Sequence, residues 1–138
     1  MTPKVYRVMK PDLSGTAPLV EASARGLGVR VPRDLAPCEL GLAHPQRGGM
    51  SVAPTLLHLP PHRVPERLGH LVEGASGKDS DRVWVIGAGA FSNGPFAQGL
   101  VLRVTSSSHA LIEPEQQCPF AQYVAHLAAT ANTWMVGE

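Results

Sequence analysis

Residues 82–89 read RVWVIGAG, and this stretch decides the fold class. β-Branched and aromatic side chains suit a pleated, packed surface, so it reads as a strand. Two more strands follow, GLVLRVTS at 99–106 and HALIEP at 109–114. Upstream, KVYRVM at 4–9 alternates, with Val5, Arg7 and Met9 facing one way and Tyr6 and Val8 the other. A short strand is expected at 50–53, after two glycines. Helical signals are fewer. PLVEASAR at 18–25 has Pro18 suited to a first turn and Gly26 to a C-terminal cap. VPERLGHLV at 64–72 is one or two helical turns or an irregular segment. CPFAQYVAHLAATANTWMV at 118–136 reads as the longest helix, with Phe120, Val124, Leu127 and Ala131 at helical spacing and Trp134 nearby. The expectation is one mixed α+β domain over 1–138, built of antiparallel strands and closed by a C-terminal helix.

Composition narrows the function classes. The 138 residues are 43% hydrophobic and 17% charged, with a formal net charge of +1. Lysines and arginines are scattered along the chain, so no clustered footprint for nucleic acid is expected. Apolar runs fall far short of the roughly 20 residues a spanning helix needs. The opening MTPKVYRVMKPD has no apolar core of signal-peptide type, which predicts a cytoplasmic protein, or one delivered into a target cell's cytosol without a signal peptide. Cys38 and Cys118 are expected to be reduced thiols. The 14 glycines and 13 prolines break the chain into short elements and exclude a helical bundle. Residues 28–49 form a loop long enough to serve as a lid, or equally as a partner surface.

Three familiar motifs fail. GAGAFSNG at 87–94 follows a strand, but Ser92, Asn93, Gly94 and Pro95 are turn residues and cannot open the helix that a dinucleotide fingerprint requires. His58 and His62 stand four apart, but the prolines between them forbid the helix that would aim both at one metal ion. No G-x-S-x-G elbow accompanies Ser51. Three residues on three separate strands remain: Arg7, Ser51 and Glu113. A guanidinium binds a pyrophosphate bidentately. A carboxylate stabilises an oxocarbenium-like sugar cation. A hydroxyl can brace that carboxylate. Plainer roles compete: a snorkelling Arg7, a turn-forming Ser51, an edge-strand His109, and Glu113 with Glu115 as an acidic entry to the last helix.

The wider pattern consists of Tyr6 and Arg7 on the first strand, Gly48-Gly49-Met50-Ser51-Val52 in the middle, a following Leu-Pro-Pro, and residues 109–114, HALIEP, before the last helix. It resembles the type VI secretion effector toxins with an ADP-ribosyltransferase-like fold, over roughly 5–134. The resemblance implies a split antiparallel sheet with short helices around an NAD-sized cleft. It also implies NAD as substrate, and a cognate immunity or antitoxin protein as partner. Within it, Arg7, Tyr6, His44, Gly48, Gly49, Ser51 and His109 would contact NAD, with Glu113, Ser51 and Arg7 catalytic. The glycines would stand at the mouth of the cleft, close to the ligand. A protein-binding module on the same fold, and an NAD hydrolase or phosphotransferase, stay open.

Overall fold

A computed structural model describes residues 1–138. Nine strands and one short α-helix make up its regular structure: β1 (Val5–Met9), β2 (Leu42–Ala43), β3 (Met50–Val52), β4 (Arg82–Ile86), β5 (Gly94–Ala97), β6 (Leu100–Ser106), β7 (His109–Pro114), β8 (Cys118–Pro119), α1 (Phe120–Ala128) and β9 (Met135–Val136). All strand pairs are antiparallel, in sheets ordered β1-β4-β9, β2-β8 and β3-β7-β6-β5. The protein is therefore a mixed fold of mostly antiparallel sheets with one helix.

Alternation places the core. β1 pairs with β4 so that Val5 faces Ile86 and Val8 faces Val83. Val5, Met9, Trp84 and Ile86 enter the main core with Met50, Val52, Ala110, Ile112 and Tyr123. Val8 and Val83 point the other way, into a smaller cluster with Leu59, Val64, Leu68 and Val72. The β1–β4 pair is thus buried on both faces, which explains the near-continuous apolar run of residues 83–86. α1 is anchored through Tyr123, whose hydroxyl donates to the Ile112 carbonyl at 2.7 Å.

The two larger sheets meet at a single bridge between Tyr6 and Ala53, made by two backbone hydrogen bonds of 2.8 and 3.0 Å. Beyond it β1 and β3 separate. β1 keeps its ladder with β4 and β3 its ladder with β7.

Three expectations need correction. Residues 18–25 are not a helix. Leu27 donates its N–H to Leu19, Glu21 donates to Leu27, and the Ser23 and Gly26 carbonyls face Arg7, so the backbone groups a helix would use go to other partners. The last helix spans only Phe120–Ala128; a one-turn 3-10 helix at Ala131–Thr133 and β9 follow. The chain turns because Thr130 is buried, with its hydroxyl on the Leu127 carbonyl and the Trp134 indole N–H on that hydroxyl. Of the four residues read as turn, Ser92 to Pro95, the last two instead open β5, which pairs with β6.

Candidate functional site

A cleft of about 450 Å3 opens where β1 and β3 separate. That is an ordinary size for a small-molecule site. Arg7 and Val8 line it from β1, Ser51 and Val52 from β3, and His109 from β7; the loops add Arg30, Arg33, Asp34, His58, His62 and Arg63. Four arginines thus face the cleft against one carboxylate.

Arg7 is only 7% exposed and meets no carboxylate. Its Nε and Nη2 donate to the Gly26 carbonyl at 3.2 and 3.0 Å, Nη2 to Ser23 at 3.3 Å, and Nη1 to Ser51 at 2.8 Å. The guanidinium therefore laces β1, the 23–26 loop and β3 together across the split, where the backbone ladder has stopped. Burial pushes its pKa down to about 10, and it stays cationic at neutral pH. Four of its five N–H groups are used. The expected role as main phosphate holder is corrected on this point: Arg7 supplies charge and one remaining donor, and most of its bonding is structural.

Arg30 grips Asp34 through Nε and Nη2 at 3.0 and 2.9 Å. Burial alone would raise the Asp34 carboxyl, but the Arg30 side-chain and backbone hydrogen bonds outweigh it and hold the group below its usual value. Arg33 and Arg63 make no ion pair and no side-chain hydrogen bond, although Arg25, Arg30, Arg67, Arg82 and Arg103 are all paired. Of the four arginines without a carboxylate partner, Arg7, Arg33, Arg47 and Arg63, three line this cleft. The scattered arginines of the sequence are thus gathered by the fold. The signal lay in RVPRD at 30–34 and HRVP at 62–65, loops whose proximity no local pattern reveals.

His109 is pushed below its ordinary pKa by burial. The Thr105 hydroxyl donates to the His109 carbonyl at 3.1 Å and lies 2.6 Å from Nδ1. The hydroxyl has one proton for these two contacts, so the Nδ1 contact holds the imidazole in place in either tautomer. Ser51 lies opposite Leu111, so His109 and Glu113 occupy its two diagonal positions on the same face of the sheet.

Several expected site residues lie elsewhere. Glu113 does not line the cleft. Its carboxylate is 1% exposed, held by Arg103 through Nε and Nη2 at 2.8 to 3.0 Å, and capped by the Gln46 N–H at 3.1 Å. The acidic-entry reading of Glu113 and Glu115 also fails, because α1 begins at Phe120 with no acid in its first turn. Gly48 and Gly49 do approach backbone closely, but the backbone is the chain's own. A Cβ on Gly48, at φ +115, would strike the Asp34 carbonyl, and one on Gly49 the Ile112 carbonyl. Tyr6 lies beside the smaller core cluster with Lys4 over its ring, and His44 precedes the loop that covers Glu113; neither lines the cleft. His58 and His62, set aside as a metal pair, do line it, and no group of three or more ligating side chains gathers to hold a metal ion.

Cys38 and Cys118 are free and half-buried. No helix is long and apolar enough to cross a membrane. No family model, no curated protein and no solved structure matches the chain.

Proposed function

We propose that this chain is a toxin domain with an ADP-ribosyltransferase-like split sheet, which binds NAD in the cleft and transfers its ADP-ribose to an intracellular acceptor. One observation carries the reading: three arginines without carboxylate partners face a cleft of nucleotide-binding size at the split between two sheets. Unbalanced cations lining a concave site favour a pyrophosphate there. In the transfer, the bond from ribose C1′ to the nicotinamide nitrogen breaks and its electron pair leaves with nicotinamide. The acceptor's nucleophilic atom bonds to C1′ and gives up its proton. His109, a cleft-lining imidazole that burial keeps neutral, is suited to take that proton. The half-buried Ser51 side chain is placed to hold a ribose hydroxyl.

Glu113 favours a second reading. Its carboxylate is sealed by Arg103 and Gln46, which fits a nucleotide-binding module that has the cleft without the transfer. The test is to incubate purified protein with NAD and cell extract, and to measure nicotinamide release and labelled product. NAD-dependent release and labelling are expected. Heat protection by NAD with no release selects the binding module, and folded protein that millimolar NAD leaves unprotected overturns both readings.

A further inference from the structure

We infer that Arg33 and Arg63, at the rim of this cleft, form a second phosphate subsite that takes a phosphate monoester in addition to the dinucleotide pyrophosphate. The inference rests on the NAD reading and deepens it.

Two observations support it: the charge in the cleft and the donors still free there. Arg7, Arg33 and Arg63 bring three positive charges that no carboxylate meets, while Arg30 is matched by Asp34. NAD answers only part of this. Its pyrophosphate carries two negative charges, and its nicotinamide ring returns a positive one. Two cations therefore stay unbalanced, and a phosphate monoester near neutral pH carries about 1.5 to 2 negative charges. The donors divide the same way. Arg7 has spent its guanidinium on three carbonyls and Arg30 has spent its fork on Asp34. Arg33 and Arg63 keep theirs whole, and Arg33 is exposed at the opening. A guanidinium with its full fork free matches the oxygens of a terminal phosphate. Around Arg7 the attraction of Asp34 is opposed by the like charges of Arg30 and Arg63, so the one carboxylate of the cleft is already shared between Arg30 and Arg7.

The monoester has two possible sources, the 2′-phosphate of NADP or the phosphate of a separate nucleotide bound beside NAD. Calorimetry at low ionic strength distinguishes them. One arm compares NADP with NAD. The other titrates AMP and adenosine into NAD-saturated protein. In at least one arm the phosphorylated ligand is expected to bind about tenfold tighter or more, equivalent to about 1.4 kcal/mol. Arg33→Ala and Arg63→Ala should each shrink that ratio toward one without lowering the melting temperature, since neither side chain bonds to the rest of the protein. Ratios near one in both arms, with NAD still bound, overturn the subsite and leave the NAD reading standing. A ratio that persists in both variants also overturns it. Folded protein that fails to bind NAD at all overturns the NAD reading and this inference with it.

Discussion

Arg7 is where sequence and structure give the same residue different work. Its place on β1 was legible from alternation, and so was its direction, with Val5 and Met9. Its partners were not, because they are carbonyls at 23, 26 and 51. Arg7→Ala takes the donor from one buried and two half-buried carbonyls and is expected to cost about 3 kcal/mol, read from denaturant unfolding. Arg7→Lys recovers less than half, since one ammonium cannot span the same fork. A variant as stable as the parent would show that the lacing contributes nothing. Three glycines separate strain from space. Gly41→Ala meets open space at a φ of +75 and should cost about 1 kcal/mol from conformation alone. Gly49→Ala has no such φ and collides with the Ile112 carbonyl, and Gly48→Ala suffers both penalties. The expected order of melting temperatures is therefore Gly41→Ala above Gly48→Ala, with Gly49→Ala also below the parent.

The β6–β7 hairpin carries the clearest test at the level of an element. Arg103 and Glu113 stand on its two strands, and their pairing raises the Arg103 pKa. Glu113→Gln removes the counter-charge from a fork already committed to it. We expect a loss of about 2 kcal/mol, below the full cost of a buried pair because Arg103 is 36% exposed. Glu115, exposed on the turn after β7, should change stability by less than about 0.5 kcal/mol when made Gln. Equal melting shifts for the two variants would return Glu113 to the surface. Tyr123→Phe tests the docking of α1: it deletes the donor to Ile112 and is expected to cost about 1 to 2 kcal/mol with the β ladders intact. The strand at 82–86 was readable because its side chains are β-branched or aromatic, although its partners are distant, and the strands at 100–106 and 109–114 because they pair with each other across a short turn. β2, β8 and β9, two residues each, were not, since so short a run has no period.

Acid stability belongs to the whole molecule, because the carboxylates that govern it tie distant segments. Glu138 reaches Arg67 at 2.6 Å, Arg82 at 2.8 Å and the Val83 N–H at 3.0 Å. Burial would raise its carboxyl, but the hydrogen bonds from Arg67, Val83 and Arg82 win and hold it low. Asp34 is likewise depressed, and the folded state binds these protons more weakly than the unfolded chain. Their contribution is thus complete above the ordinary values of 3.8 for Asp34 and 4.5 for Glu138, and fades as pH falls through the depressed folded values. Unfolding free energy should decline gently below about pH 6.5, where the unfolded chain protonates His109 more readily than the folded one, and fall steeply below about 4. Glu138→Gln should cost about 1 kcal/mol at pH 7 and make the acid limb shallower. An unchanged acid limb would remove Glu138 from the account. By itself the sequence determined the antiparallel strands, the alternating directions of residues 5–9 and the irregularity of the long loops, because alternation, β-branching and proline act within a few residues. Only the tertiary structure decided which arginines share a cleft and which carboxylate is spent on a partner. Coulomb forces and hydrogen bonds act through space, and a net charge of +1 averages away the cationic surplus that the loops gather at the split between the sheets.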